Sequence, residues 1–368
     1  MWQLDNQTPY AAERTWIRDA EGAEVWIVAV KASYELLPDG STRVAAVQPP
    51  INSGLVLHED GKSPLFETDL GPPKSATDVW LVGHAHSQTG QPITHTRIGF
   101  VLGPVLRQLE VIGDREWLGF GRTGASDPQP FVRMPLTWAR ALGGDGPDCK
   151  TGNPVGCGIV KQADGRHRLP NLEHPFRPMG SLLASSATQG VGPIPRHWPA
   201  RRQYAGTYDA AWQQSRAPLQ AADLDPRHWQ VAPVEQQVPG HLKGGEPIGL
   251  EGVTPAGFAP EGVYCTLLPK LTLGFKTRFF DGSMATTRGV IHNVILLPDG
   301  WQGSGPLVSV VHHMALPCHA KVNKLERTVI TEKQRPLDRP AVPPRLAHRR
   351  AAGSETHEPY APPQWEQT

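Results

Sequence analysis

His84 and His86 alternate along the run Asp78-Val79-Trp80-Leu81-Val82-Gly83-His84-Ala85-His86, and alternate residues of a strand point to one side. Two imidazoles placed in this way can share a zinc ion, but a zinc site needs a third protein ligand, and no spacing in the sequence supplies it. A second group, His312, His313, Cys318 and His319, lies in one strand-like stretch toward the C-terminus. The chain holds 15 histidines, so hydrogen-bonded or surface imidazoles are the expected reading, with no metal. Cys149 and Cys157 bracket the glycine-containing stretch 150–156 at a spacing that matches no common zinc knuckle, and ordinary thiols are expected there. Asp223-Leu224-Asp225 offers paired carboxylates for acid–base work, but the following Pro226 favours a turn-forming role.

A further cluster, Arg196-His197-Trp198-Pro199-Ala200-Arg201-Arg202-Gln203-Tyr204, interleaves cations with aromatic rings. Such a composition suits base stacking or protein contact, where Trp, Tyr and Arg are the usual anchors. Lys+Arg 36 against Asp+Glu 35 leaves a formal charge of +1, so no overall field draws the chain toward nucleic acid or an anionic membrane. The candidate protein-binding residues are therefore Trp198, Arg201, Tyr204, Tyr208 and Trp212. The alternative is that Trp198 packs inside a loop layer while the arginines bond nearby carbonyls.

Common catalytic strings are missing. There is no GxxxxGK[ST] to cradle phosphate, no HExxH, GxSxG or CxxC, and no GxGxxG between a strand and a helix. The expectation is a protein that is not an enzyme and carries no cofactor.

The elements that must position these residues are strands. Val25 to Tyr34 is a β-branched, aromatic run closed by Leu37-Pro38-Asp39-Gly40, after which Thr42-Arg43-Val44 resumes. Thr94 to Leu102 and Val105 to Ile112 flank Gly103-Pro104, which predicts a hairpin with Val105, Arg107, Leu109 and Val111 on one face. Leu271, Leu273, Phe275, Thr277 and Phe279 share a face of a later strand that ends at Asp281-Gly282, and Val290 to Leu297 and Leu307 to His312 follow. Between these ends Pro and Gly punctuate the chain, with short helical candidates at 136–141 and 210–216. Gly 38 and Pro 38 together make about a fifth of the 368 residues.

The reading is mainly β: two antiparallel β-sandwich-like units joined by a loop-rich segment with short helices. Residues 1–125 form the N-terminal β domain, 126–260 the Pro/Gly-rich loop layer and 261–333 the C-terminal β unit, with a disordered tail over 334–368. Loops over a rigid scaffold commonly carry binding. The N-terminus shows neither a basic nor an apolar leader region, and nowhere do roughly 18 apolar residues run together. Four scattered cysteines do not make a disulfide framework. A cytoplasmic location without membrane insertion is expected.

Several strings stand in order along residues 1–330: Lys74-x-x-Thr77-Asp78-Val79, Gly83-His84-Ala85-His86, Gly113-Asp114-Arg115-x-Trp117, Pro130-Phe131-x-x-Met134-Pro135-Leu136-Thr137-Trp138 and Asn153-Pro154-Val155-Gly156. Leu169-Pro170-Asn171-Leu172-Glu173, Gly206-Thr207-Tyr208-Asp209-x-x-Trp212 and Leu242-x-Gly244-Gly245-Glu246 continue them. The chain thereby resembles a bacterial domain-of-unknown-function family encoded beside type VI secretion effectors. The resemblance implies an adaptor or chaperone that holds an effector with a PAAR-like domain and helps place it on the VgrG spike. It carries over no binding residues. The competing readings are a β-rich enzyme using histidines and carboxylates of the middle segment, and a structural subunit of the secretion apparatus.

Overall fold

The computed structural model describes residues 2–119, 124–144, 152–158, 161, 165, 167–176, 187–318 and 325–333. Cys149, His319 and the stretch 334–368 lie outside the described residues. Among the described residues strands dominate, as the period-two runs require, and helix is confined to short pieces such as Pro199–Arg202 and Ala210–Ser215.

The largest sheet has seven strands. Its order is Gln237–Pro239, Ala76–Leu81, Val290–Leu297, Leu307–Cys318, Glu24–Leu36 and Ala11–Arg18, with Thr42–Val44 pairing the far end of Glu24–Leu36. Side chains alternate between two apolar layers. Val79, Leu81, Val294 and Leu296 enter the main core, while Trp80, Ile295, Leu297 and Leu307 pack on the other side with Phe66 and Val231. Burial on both faces explains why these strands read as unbroken apolar runs.

A five-stranded sheet runs Leu172–Glu173, Val105–Ile112, His95–Leu102, Pro247–Glu251 and Val263–Leu267. The predicted Gly103-Pro104 reversal is present: Val105 faces Leu102, and Gly103 adopts φ 55°, a conformation glycine reaches without a Cβ penalty. A third sheet runs Gln3–Asn6, Leu325–Glu332, Leu273–Phe279 and Met284–Arg288. Leu273, Phe275, Thr277 and Phe279 are all buried, as their spacing predicts.

Two features depart from the sequence reading. The segment boundaries near 125 and 261 do not separate sheets, because Glu24–Leu36 pairs with Leu307–Cys318 and His95–Leu102 pairs with Pro247–Glu251. Two of the joining pairs are also parallel, Ala76–Leu81 with Val290–Leu297 and Gln3–Asn6 with Leu325–Glu332. Parallel neighbours need a long crossover, and some two hundred or more residues separate each pair. Within the loop-rich segment, Pro247–Glu251 is a central strand of the second sheet. Its Pro and Gly content hides it from a propensity reading.

Candidate functional site

The His84/His86 face closes on a carboxylate. Strand His84–His86 pairs with Arg133–Pro135, which brings Arg133 opposite His86. The turn after Val290–Leu297 brings in Asp299, whose Oδ2 lies 2.7 Å from His84 Nδ1 and whose Oδ1 lies 2.6 Å from His86 Nε2. Arg133 Nη2 stands 3.3 Å from Asp299 Oδ2.

Two glycines make this approach possible. A Cβ on Gly83 would come within 2.9 Å of Pro298 and 3.2 Å of the Asp299 carboxylate, and Gly300, at φ 81°, has Ser304 O 2.1 Å from where a Cβ would stand. Burial works against the ionised form of Asp299, but the hydrogen bonds and charges of His84 and His86 outweigh it and hold the carboxyl well below the usual range.

An ionised carboxylate only accepts hydrogen bonds. His84 therefore carries a proton on Nδ1 and His86 on Nε2. Each imidazole is oriented as in a carboxylate–histidine pair, and among the described residues no three His, Cys, Asp or Glu side chains are placed to hold a metal. The cluster ties the Pro298–Gly300 turn to the neighbouring strand. Asp299→Ala leaves two partly buried ring N–H groups without their acceptor, so a loss of about 1–3 kcal/mol in unfolding free energy is expected, measured by urea denaturation against the parent chain.

The second histidine group is interior. His312 and His313 are 3% and 2% exposed. A bulge between Ile291 and Asn293 re-aims His292, whose ring stacks on His313 at 4.0 Å and on His241 at 5.9 Å between centroids. His313 Nε2 lies 3.0 Å from the Gly71 carbonyl. Burial pushes the pKa of His312 down to about 4 and that of His313 down to about 3, with the nearby Lys74 charge adding to the latter.

Beside this stack a seam of charge crosses the large sheet. Lys74 Nζ reaches Asp78 and Asn293, each at 2.6 Å, Asn293 meets Asp69, and Lys31 pairs with Asp69 at 2.5 Å. Asp78 also accepts from the backbone N–H of Val231 at 2.8 Å and of Ala232 at 3.1 Å. These groups fasten the segment 67–78 and the 230–232 loop to the sheet.

The five candidate binding residues separate into two sets. Trp198 and Arg201 are 3% and 5% exposed. Trp198 packs edge-on against Trp138 at 5.9 Å. Arg201 donates to the carbonyls of His228 and Ile194 and pairs with Glu67, so both residues build the layer rather than its outer surface.

Tyr204, Tyr208 and Trp212 lie further out. Tyr208 is half exposed and meets Trp212 edge to face at 4.9 Å, and the Arg227 guanidinium stands 4.3 Å from the Tyr204 ring centroid. Helix Ala210–Ser215 begins at Asp209, whose side chain accepts from Trp212 N. Asp223 accepts from Thr207 N and Oγ1, and Asp225 caps the turn Pro226–Trp229, so the acidic pair forms turns as its spacing suggests.

Arg216 and Gln220 then anchor this aromatic platform to the carbonyls of Ala20 and Arg18 at the end of an edge strand. Sequence reasoning missed Arg227, whose place over Tyr204 depends on folding of the 205–226 excursion. It also missed Asp299, far along the chain from the histidines it joins.

Among the described residues, Cys157, Cys265 and Cys318 form no disulfide with one another. No helix among the described residues is long and apolar enough to cross a membrane. No curated protein and no solved structure matches the chain. The sequence pattern of DUF2169, described as an uncharacterized protein conserved in bacteria, matches residues 21–304, and the chain belongs to that family.

Proposed function

We propose that this protein is an adaptor or chaperone that binds a PAAR-like type VI secretion effector and assists its loading onto the VgrG spike. The reading rests on the ordered motifs of the sequence. The observation that supports it in the fold is the platform of Tyr204, Tyr208, Trp212 and Arg227, in which aromatic rings and a guanidinium stand on a capped, tethered segment at the surface. Pre-ordered Trp, Tyr and Arg side chains are the residue types that dominate binding energy at protein interfaces, and rigidity lowers the entropy lost on association.

Deleting the gene is expected to abolish delivery, or lower the level, of one PAAR-like effector while others are secreted normally. In the purified complex, the double substitution Tyr208→Ala with Arg227→Ala is expected to weaken binding by about 2–4 kcal/mol with little change in melting temperature. Uniform loss of all effectors on deletion would instead make the protein a general component of the apparatus. Failure to recover any effector partner would remove the adaptor reading. The enzymatic alternative has one arrangement in its favour, the Asp299-oriented imidazole of His84, and turnover that disappears in His84→Gln would support it.

A further inference from the structure

Among the described residues, strand Ala11–Arg18 is the last strand of the seven-stranded sheet, paired with Glu24–Leu36 on one side only. Open edges are normally blunted by proline, a bulge, charged side chains, a covering loop or a short length. This strand has eight residues, no proline and no register break, its charges are of mixed sign in Glu13, Arg14 and Arg18, and Gln220 covers only its Arg18 end. The strand also carries Trp16, which is 50% exposed. The Arg14 N–H donates to the Glu13 side chain and the Arg18 carbonyl accepts from Gln220. The backbone groups of the even-numbered residues therefore face outward, and those of the odd-numbered residues serve the native ladder. In a paired edge the Arg14 N–H would exchange the Glu13 carboxylate for the second strand, while the Arg18 carbonyl can accept from both Gln220 and that strand.

We infer that this edge is a self-association surface, on which a second copy of the chain pairs antiparallel so that the two large sheets become continuous. The charges select the register. A two-fold axis through Glu13 would set Glu13 against Glu13, one through Arg14 would set Arg14 against Arg14, and one through Trp16 would set Arg14 against Arg18. Like charges directly opposite are destabilising.

An axis through Thr15 avoids all three. It places Arg14 of each copy opposite Trp16 of the other, Glu13 opposite Ile17 and Ala12 opposite Arg18. Arg14 already stands 5.8 Å from the Trp2 ring, so each guanidinium would lie between two indoles, a favourable cation–π arrangement. Trp16 would be covered. The self-complementary pattern favours a second copy over a strand from another protein.

The test uses the full chain. Light scattering during size exclusion is expected to give twice the chain mass for the parent and a single chain mass for Trp16→Pro. Proline at residue 16 removes an outward N–H that the native ladder does not use, and an unchanged circular dichroism spectrum and melting temperature would confirm that this variant folds.

Independently, Thr15 sits on the proposed axis as a non-hydrogen-bonded pair, where Cα atoms lie about 4.5 Å apart, within disulfide range. Thr15→Cys is expected to give a covalent dimer on mild oxidation, in excess of the parent, while Ile17→Cys does not. A parent protein that is monomeric at every concentration would overturn the inference, as would a folded Trp16→Pro that remains dimeric, or equal cross-linking at residues 15 and 17.

Discussion

Asp78→Ala is expected to be among the most destabilising single substitutions in this protein, costing about 3–5 kcal/mol. Asp78 is fully buried. Burial pushes the pKa of the Lys74 ammonium down, and the charge and hydrogen bond of Asp78 oppose that push. Removing the carboxylate strands this cation in the interior and also leaves the Val231 and Ala232 N–H groups without their acceptor.

Such a loss is a large part of the roughly 5–15 kcal/mol by which folded chains are stable. Urea unfolding curves should show the midpoint falling with the slope unchanged. The contrasting case is Glu35→Ala, which breaks a pair whose Arg43 partner is 66% exposed, and that change is expected to cost no more than about 1 kcal/mol. Equal costs for the two substitutions would show that the interior seam carries no special weight.

Acid should destabilise the protein well before its carboxylates titrate. In the unfolded chain a histidine titrates near 6.5. In the fold, burial holds His292 well below that value, with the neighbouring His313, Lys74 and His241 adding to the effect, while His312 falls to about 4 and His313 to about 3.

Because the folded-state values are depressed, the native state keeps these imidazoles neutral while the unfolded state takes up protons. Stability is therefore intact above about pH 7 and declines as pH drops through about 6.5 toward the folded-state values. Each histidine contributes a slope of about 1 kcal/mol per pH unit in that window. Three together should remove several kcal/mol between about pH 7 and about pH 5.

His312→Leu isolates the effect. Burial alone shifts His312, and its Nε2 has no hydrogen-bond partner among the described residues, so leucine should flatten the slope by about a third. Urea midpoints measured across this range check the prediction. A stability profile that is level down to about pH 5 would contradict it.

Local signals in the sequence mark the β class and several of the long strands, Glu24–Leu36, His95–Leu102, Val105–Ile112, Leu273–Phe279, Val290–Leu297 and Leu307–Cys318. Alternation at Leu273, Phe275, Thr277 and Phe279, and the Gly103-Pro104 and Asp281-Gly282 reversals, are local signals, since side-chain period and turn chemistry depend on a few neighbouring residues. The same locality places His84 and His86 on one face and assigns Asp223 and Asp225 to turns. Ordered motifs further suggested the family.

Tertiary structure decided the rest. Parallel pairing of Ala76–Leu81 with Val290–Leu297, the central place of Pro247–Glu251 and the meeting of Asp299 with its two histidines join residues distant in the chain, and no periodicity encodes such partners. The fate of the aromatic–arginine cluster was equally non-local. Trp198 and Arg201 face Trp138 and Glu67 and became part of the interior, whereas Tyr208 stayed at the surface. Which member of a cluster is buried depends on the layer that packs over it, because burial is a property of the assembled neighbours and not of the residue type.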